Sequence, residues 1–220
     1  MARAGAVKAR TQAGNQLRDL ILTAPEQVRR QLAGLPSGRQ VDVAARFRPG
    51  DLASVARRHQ ELTAEIARLD AALEKLVTRA APEEFLAKQG VATRVAASLL
   101  ATAGDNPGRV RTEASFAALC GASPVDASSG KQIRHRLNRG GDPQANSALW
   151  TIAMTRLAHD PRTKAYAARR TSEGKTKKEI IRCLKRYIAR EIYKALCRPP
   201  QPSRASAPQA KQEICTRVLT

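Results

Sequence analysis

From Asp51 to Ala80 apolar residues return at alternating steps of three and four: Leu52, Val55, Leu62, Ile66, Leu69, Leu73 and Leu76, with His59 the polar member of the series. That is the heptad spacing of a helix with one apolar seam, and it predicts a coiled coil. Glu61, Glu65 and Arg68 fall beside the seam, where charged residues steer pairing. The partner is either a helix of the same chain or the same helix of a second copy. The second is favoured and predicts a homo-oligomer.

Upstream, Leu17, Leu20, Ile21 and Val28 also keep helical spacing, so residues 6–31 read as one or two helices, with Pro25 opening a new first turn. Gly34, Pro36, Gly38 and Pro49-Gly50 then predict a loop-rich link. Downstream of Pro82, a helix is expected over residues 91–103 and another from Thr112, whose hydroxyl can cap it, with Ser115 close behind. Cys120-Gly121 should end that helix, because glycine suits the left-handed cap. Ile133, His135 and Leu137 alternate with Arg134 and Arg136, which suggests a short β-ribbon with a basic side.

Residues 145–159 form the next expected helix, with Leu149, Ile152, Ala153 and Leu157 on one face and Trp150 placed in the core. Asp160-Pro161 ends it, and a basic helix follows until Gly174. The last helix, from Lys177 to Leu196, is amphipathic. Ile181, Leu184, Ile188, Ile192 and Ala195 make its apolar stripe, while Lys178, Arg182, Arg186, Arg190 and Lys194 recur every fourth residue as a basic ridge.

The fold class expected is mainly α: a long coiled-coil segment followed by a compact helical nucleic-acid-binding domain with a basic loop or short β-ribbon. The expected division is a helical linker region (1–50), the coiled coil (51–82), a helical domain (83–198) and a Pro- and Ser-rich tail (199–220) too polar to order itself.

Composition narrows the partner. The chain has 220 residues, 42% hydrophobic but only 3% aromatic, which suits helix packing. Lys and Arg number 39 against 19 Asp and Glu, a net charge of +20. Between Lys131 and Arg198 basic residues outnumber acidic ones more than three to one. Such an excess repels itself unless a polyanion neutralises it, so nucleic acid is the expected partner. Cys120, Cys183, Cys197 and Cys215 form no C-x-x-C pair and have no histidine at metal spacing, so free thiols in a reducing cytosol are expected and no metal site. No apolar run is long enough to cross a membrane, and no secretory signal is evident, which gives a cytoplasmic localisation, nucleoid-associated when bound to DNA. The Gly-Lys-Thr of SEGKTKK lacks the upstream glycine of a phosphate loop, and His135 and His159 lack the pattern of a hydrolase triad.

The stretch from Gly121 to Asn146 carries the candidate chemistry. Ser128 and Ser129 precede Gly130, and Lys131, Arg134, Arg136 and Arg139 follow. A serine on a glycine-loosened turn, with guanidinium groups to hold phosphate oxygens, is what attack on a DNA phosphate requires. Read alone, such a turn is more often an ordinary solvated loop. The basic groups expected to bind nucleic acid are therefore Lys131, Arg134, Arg136 and Arg139 in this segment, with Lys178, Arg182, Arg186, Arg190 and Lys194 on the ridge.

The order LCGASPVDASSG, RHRLNRGGDPQANSALW, then RLAHDPRTKAYAARRTSEGKTKKEIIRCLKRYIAREIYKAL resembles the C-terminal domain of the bridge-RNA-guided insertion-sequence transposases, the IS-one-ten group. The resemblance runs from about Gln89 to Leu196. It implies that Ser129, with Ser128 as the fallback, is a nucleophile toward DNA, and that a structured guide RNA is a second partner. It also implies a helix-hairpin-helix turn at Gly90, although Gln89 and Ala92 stand where the family has proline and glycine. The family's remaining catalytic groups are carboxylates of a RuvC-like nuclease domain that bind Mg. No strand-like run carries such carboxylates here, so no cofactor is expected in this chain and Mg only with that domain. The chain accordingly reads as the C-terminal part of a longer transposase or a decayed copy, inactive alone. The alternatives are a non-catalytic nucleic-acid-binding remnant and a coiled-coil assembly protein.

Overall fold

The computed structural model describes residues 2–48, 50–104, 110–126, 135–136 and 138–197. These form ten helices and a two-stranded ribbon, so the mainly α class holds. The chain divides into two compact units, Met1–Ala81 with Val91–Ser98, and Pro82–Gly90 with Leu99–Thr220.

The first unit is built on α1 (Ala2–Thr23) and α4 (Asp51–Ala80). They run antiparallel. Arg3 at the start of α1 pairs with Asp70, its Nη2 donating to Oδ2 at 2.9 Å, and Gly14 lies under the ring of His59. Small residues make this approach possible: Ala6 and Ala13 of α1 and Ala53 and Ala56 of α4 are all buried. Of the two pairings open in the sequence, the hairpin within one chain is the one the fold contains. Ile66 is buried, and the heptad residues from Leu52 to Leu73 are otherwise half-buried. At the far end Val77 is buried while Leu76 is 53% exposed. Ala56, Asp70 and Val77 widen the covered stripe beyond the narrow seam of a supercoil, as in an ordinary globular helix.

α2 (Glu26–Leu32) begins after Pro25, as expected, but the expected loop-rich link holds a helix, α3 (Ser37–Ala44), which begins after Pro36. Proline at a helix entrance stops nothing, because the first-turn N–H groups have no intrahelical partner. Val41 and Ala44 of α3 join Leu17 and Ala56 in the core, with Ile21, Leu52 and Val55 packed around them.

In the second unit α10 (Lys177–Cys197) packs against α7 (Glu113–Leu119) and α8 (Pro143–His159). Phe85 of α5 (Glu83–Leu86), Leu99 of α6 (Thr93–Ala103), Phe116, Leu149, Ile152 and Ile192 are fully buried. Capping residues set the boundaries. Thr112 and Ser115 form a reciprocal capping box at the start of α7. The Asp142 carboxylate accepts from the Gln144 N–H at 2.8 Å to open α8. Asp160 ends α8 and caps α9 (Pro161–Ser172), accepting from Thr163 N–H at 3.1 Å. On α10 the buried stripe is Ile180, Leu184, Ile188, Ile192 and Ala195, so Ile180 takes the place expected of the half-buried Ile181. Trp150 is not in the core: it is 48% exposed on α8.

Candidate nucleic-acid interface

α7 ends as its sequence foretells. Gly121 takes φ of 62° and donates to Ala118 O at 3.0 Å, while the Ala122 N–H reaches back to Ala117 O at 2.7 Å. This is a Schellman ending, which closes the last carbonyls of the helix. A second glycine locks the turn. Gly141 lies so near Gly121 that a Cβ there would run into Gly121 N and Cα and stand 2.8 Å from Ala118 O. The Asp142 N–H donates to Leu119 O at 2.7 Å beside it.

Asn146 on α8 secures this junction. Its amide nitrogen donates to the carbonyls of Cys120 and Gly121, both at 2.9 Å, and its oxygen accepts from Lys185 Nζ at 2.8 Å. Lys185 is only 5% exposed. Burial pushes its pKa below the ordinary lysine value, and the nearby Arg182 adds to the shift. Asn138 ties the other end, donating to Ser123 Oγ at 3.0 Å and accepting from the Gly140 N–H at 2.9 Å. Cys120 is buried in the same place, and desolvation pushes its thiol up to about 12, so it stays protonated and inert.

From this base rises the expected ribbon. β1 (Val125–Asp126) pairs antiparallel with β2 (His135–Arg136), Val125 opposite Arg136 and Asp126 opposite His135. His135 Nδ1 lies 3.0 Å from Asp126 Oδ1. The intervening residues, with Ser128, Ser129, Gly130, Lys131 and Arg134, lie outside the described residues.

A groove of about 520 Å³ runs between the ribbon and α10. His135 and Arg136 of β2 line one side. Arg182, Arg186, Tyr187 and Arg190 of α10 line the other, with Arg170 of α9, Lys175, Glu179 and Lys185 also in the lining. Four of the basic residues expected from sequence therefore meet here: Arg136, Arg182, Arg186 and Arg190. Arg139, Lys178 and Lys194 are exposed but do not line the groove. Two of the four are already engaged. Arg190 Nε lies 2.9 Å from Glu113 Oε1, and Arg186 Nη1 donates to the Glu113 carbonyl at 3.3 Å.

Sequence reasoning missed Arg170, Lys175, Lys185 and Tyr187. Lys185 had a signal: it sits inside the apolar stripe of α10, where a lysine must find a partner. Arg170 comes from α9 and Lys175 from the α9–α10 turn, and only the fold brings them to the groove, while Tyr187 lies on α10 among the ridge arginines.

The Gly90 turn serves packing. Gly90 has φ of 88°, and a Cβ there would stand 3.2 Å from the Cα of Ile152. Arg156 of α8 donates to Gln89 O at 3.0 Å and holds Glu191 of α10 through two nitrogens at 2.6 and 3.3 Å. Ala92 accepts the first helical bond of α6, from Ala96 N–H at 2.9 Å.

Among the described residues no group of three or more His, Cys, Asp or Glu side chains could hold a metal ion, and no helix is long and apolar enough to cross a membrane.

Residues 83–168 match a family model described as the transposase IS116/IS110/IS902 family. A stretch of 93 residues is 34% identical to the insertion element IS110 uncharacterized 43.6 kDa protein of Streptomyces coelicolor. That stretch is 42% of this chain and 23% of the relative, so the chain aligns with about a quarter of the relative's length. The match takes in the ribbon, α8 and the start of α9. The α10 wall of the groove lies beyond it.

Proposed function

We propose that this chain is the nucleic-acid-binding, serine-bearing part of an insertion-sequence transposase. The observation that carries the proposal is that the family match and the groove meet at one ribbon. The transposase-family match covers the ribbon whose connecting residues include Ser128, Ser129 and Gly130, and that ribbon stands over a groove walled by arginines. In this reading DNA lies along the groove, with Arg136 and Arg182 contacting phosphate oxygens. Ser129 attacks a DNA phosphorus. Its Oγ–P bond forms as the bond to the leaving nucleotide oxygen breaks, and the serine proton passes to a base. A serine hydroxyl is a poor nucleophile unaided. The base and the Mg would belong to a RuvC-like nuclease domain, whose carboxylate-bearing sheet the described residues do not form. A structured guide RNA would be the second polyanion. Pairing of copies through α4, whose Leu76 is exposed, belongs to the same proposal.

The test is binding of a labelled DNA duplex across a salt series. Log affinity should fall linearly with log salt at a slope set by the phosphates neutralised, roughly −0.9 per contact. A flat response would sink the reading. With a nuclease domain supplied in trans, Ser129→Ala should abolish strand joining and leave DNA affinity within about twofold. Joining that survives the change would make this a binding module without chemistry.

A further inference from the structure

Tyr187 has no role in the reading above, yet it stands in the groove. It lies on α10 directly after Arg186 and is 55% exposed, among the largest departures from burial of any apolar-bodied side chain in the described second unit. Its ring is not loose. Tyr166 of α9 meets it edge to face, with centroids 5.8 Å apart and planes at 87°. Tyr166 is itself held, half-buried, with the Arg169 guanidinium 5.6 Å from its ring centre. An aromatic ring fixed in direction and open to solvent, flanked by Arg182, Arg186 and Arg190, fits neither a packing role nor a duplex. The bases of a duplex are stacked on one another and offer only their edges. An unpaired base offers a face, and arginines spaced along one helix can follow the phosphates on either side of it.

We propose that the groove between the β-ribbon and α10 binds an unpaired stretch of polynucleotide, with one base stacked on Tyr187 and the adjoining phosphates held by Arg136 and Arg182. The proposal rests on the nucleic-acid reading above and narrows it to a strand taken out of the double helix. Arg136 approaches from the ribbon and Arg182 from α10, so the strand runs between them across the Tyr187 ring. Arg186 and Arg190, tied to Glu113, form the more rigid part of the wall. The shared chemistry is an aromatic base on a phosphodiester chain. A displaced DNA strand and a single-stranded RNA segment both supply it.

The experiment uses the full chain and three labelled probes of one mixed sequence: single-stranded DNA, single-stranded RNA and duplex DNA. Binding is read by fluorescence anisotropy at fixed salt. Tyr187→Ala should weaken single-strand binding about 5- to 150-fold, the range for loss of one stacking platform, and change duplex binding less than twofold. Tyr187→Phe, which keeps the ring, should stay within about threefold of the native chain for every probe. A 2-aminopurine base within the strand should be quenched on binding to the native chain and less so with Tyr187→Ala. That readout holds even if the alanine variant loses stability, because Tyr187→Phe and the native chain carry it. Tighter binding of RNA than DNA assigns the strand to an RNA, and the reverse to displaced DNA. Equal losses for duplex and single strand, or no quenching with the native chain, would overturn the stacking proposal and leave the nucleic-acid reading standing. No binding of any probe would end both.

Discussion

At the residue scale, Asn146 and the buried Lys185 show how much one pair can carry. The amide closes two carbonyls of the α7 ending and is the partner seen for a nearly covered ammonium. Asn146→Ala should therefore destabilise the chain by about 3 kcal/mol, since it strands both a charge and backbone acceptors. Urea unfolding would measure it. Lys185→Met in the same background should restore part of the loss by removing the charge that the first change leaves unpaired. Gly141→Ala should be worse than either, because its Cβ would meet backbone that has nowhere to go. His59 gives a pH signature. Burial against Gly14 lowers its pKa, and the Arg10 charge lowers it further. The folded state thus favours the neutral ring. The stability this confers is present above the ordinary histidine value near 6.5 and is lost as pH falls through the lowered folded value. Melting temperatures should drop on acidification from pH 8 to pH 5, and His59→Gln should flatten that part of the profile.

At the element scale, the sequence was most readable where two local signals agreed. Thr112 with Ser115 at one end of α7 and Cys120-Gly121 at the other gave both boundaries, because caps and left-handed turns are decided by a few adjacent residues. α3 was hidden for the opposite reason. Pro36 and Gly38 look like breakers, but they occupy the entrance and first turn of the helix, where neither disrupts a bond. The heptad of α4 was visible, but the choice of partner was not. Alanine spacing on α1 carries that information, and it has weak contrast against a chain rich in alanine. The basic ridge on α10 was legible as a period of four, although Glu113 was not legible as its neighbour across 73 residues of sequence. That pairing makes a prediction. Glu113→Gln should release Arg190 and take the carboxylate from beside Arg186, whose bond to the Glu113 carbonyl stays, and so raise polynucleotide affinity about two- to tenfold, with a steeper salt slope in filter binding. Unchanged affinity and slope would mean that those two arginines do not meet phosphate.

At the scale of the whole molecule, charge is the property that composition revealed most directly. The net +20 pointed to a polyanion before any fold was known, but not to where it would lie. The groove draws its arginines from β2, α9 and α10, three elements that no linear motif joins. The proposed serine chemistry rests on a motif and a resemblance, since Ser128 and Ser129 lie outside the described residues. The order in which the chain visits its two units has a further consequence. It passes from the first to the second at Pro82, returns at Val91, and leaves again at Leu99, partway along α6. Neither unit is one uninterrupted run of codons. A single recombination crossover within this gene therefore cannot exchange one unit intact for that of another copy. Units joined by a simple linker can be traded by one such exchange, whereas these two cannot.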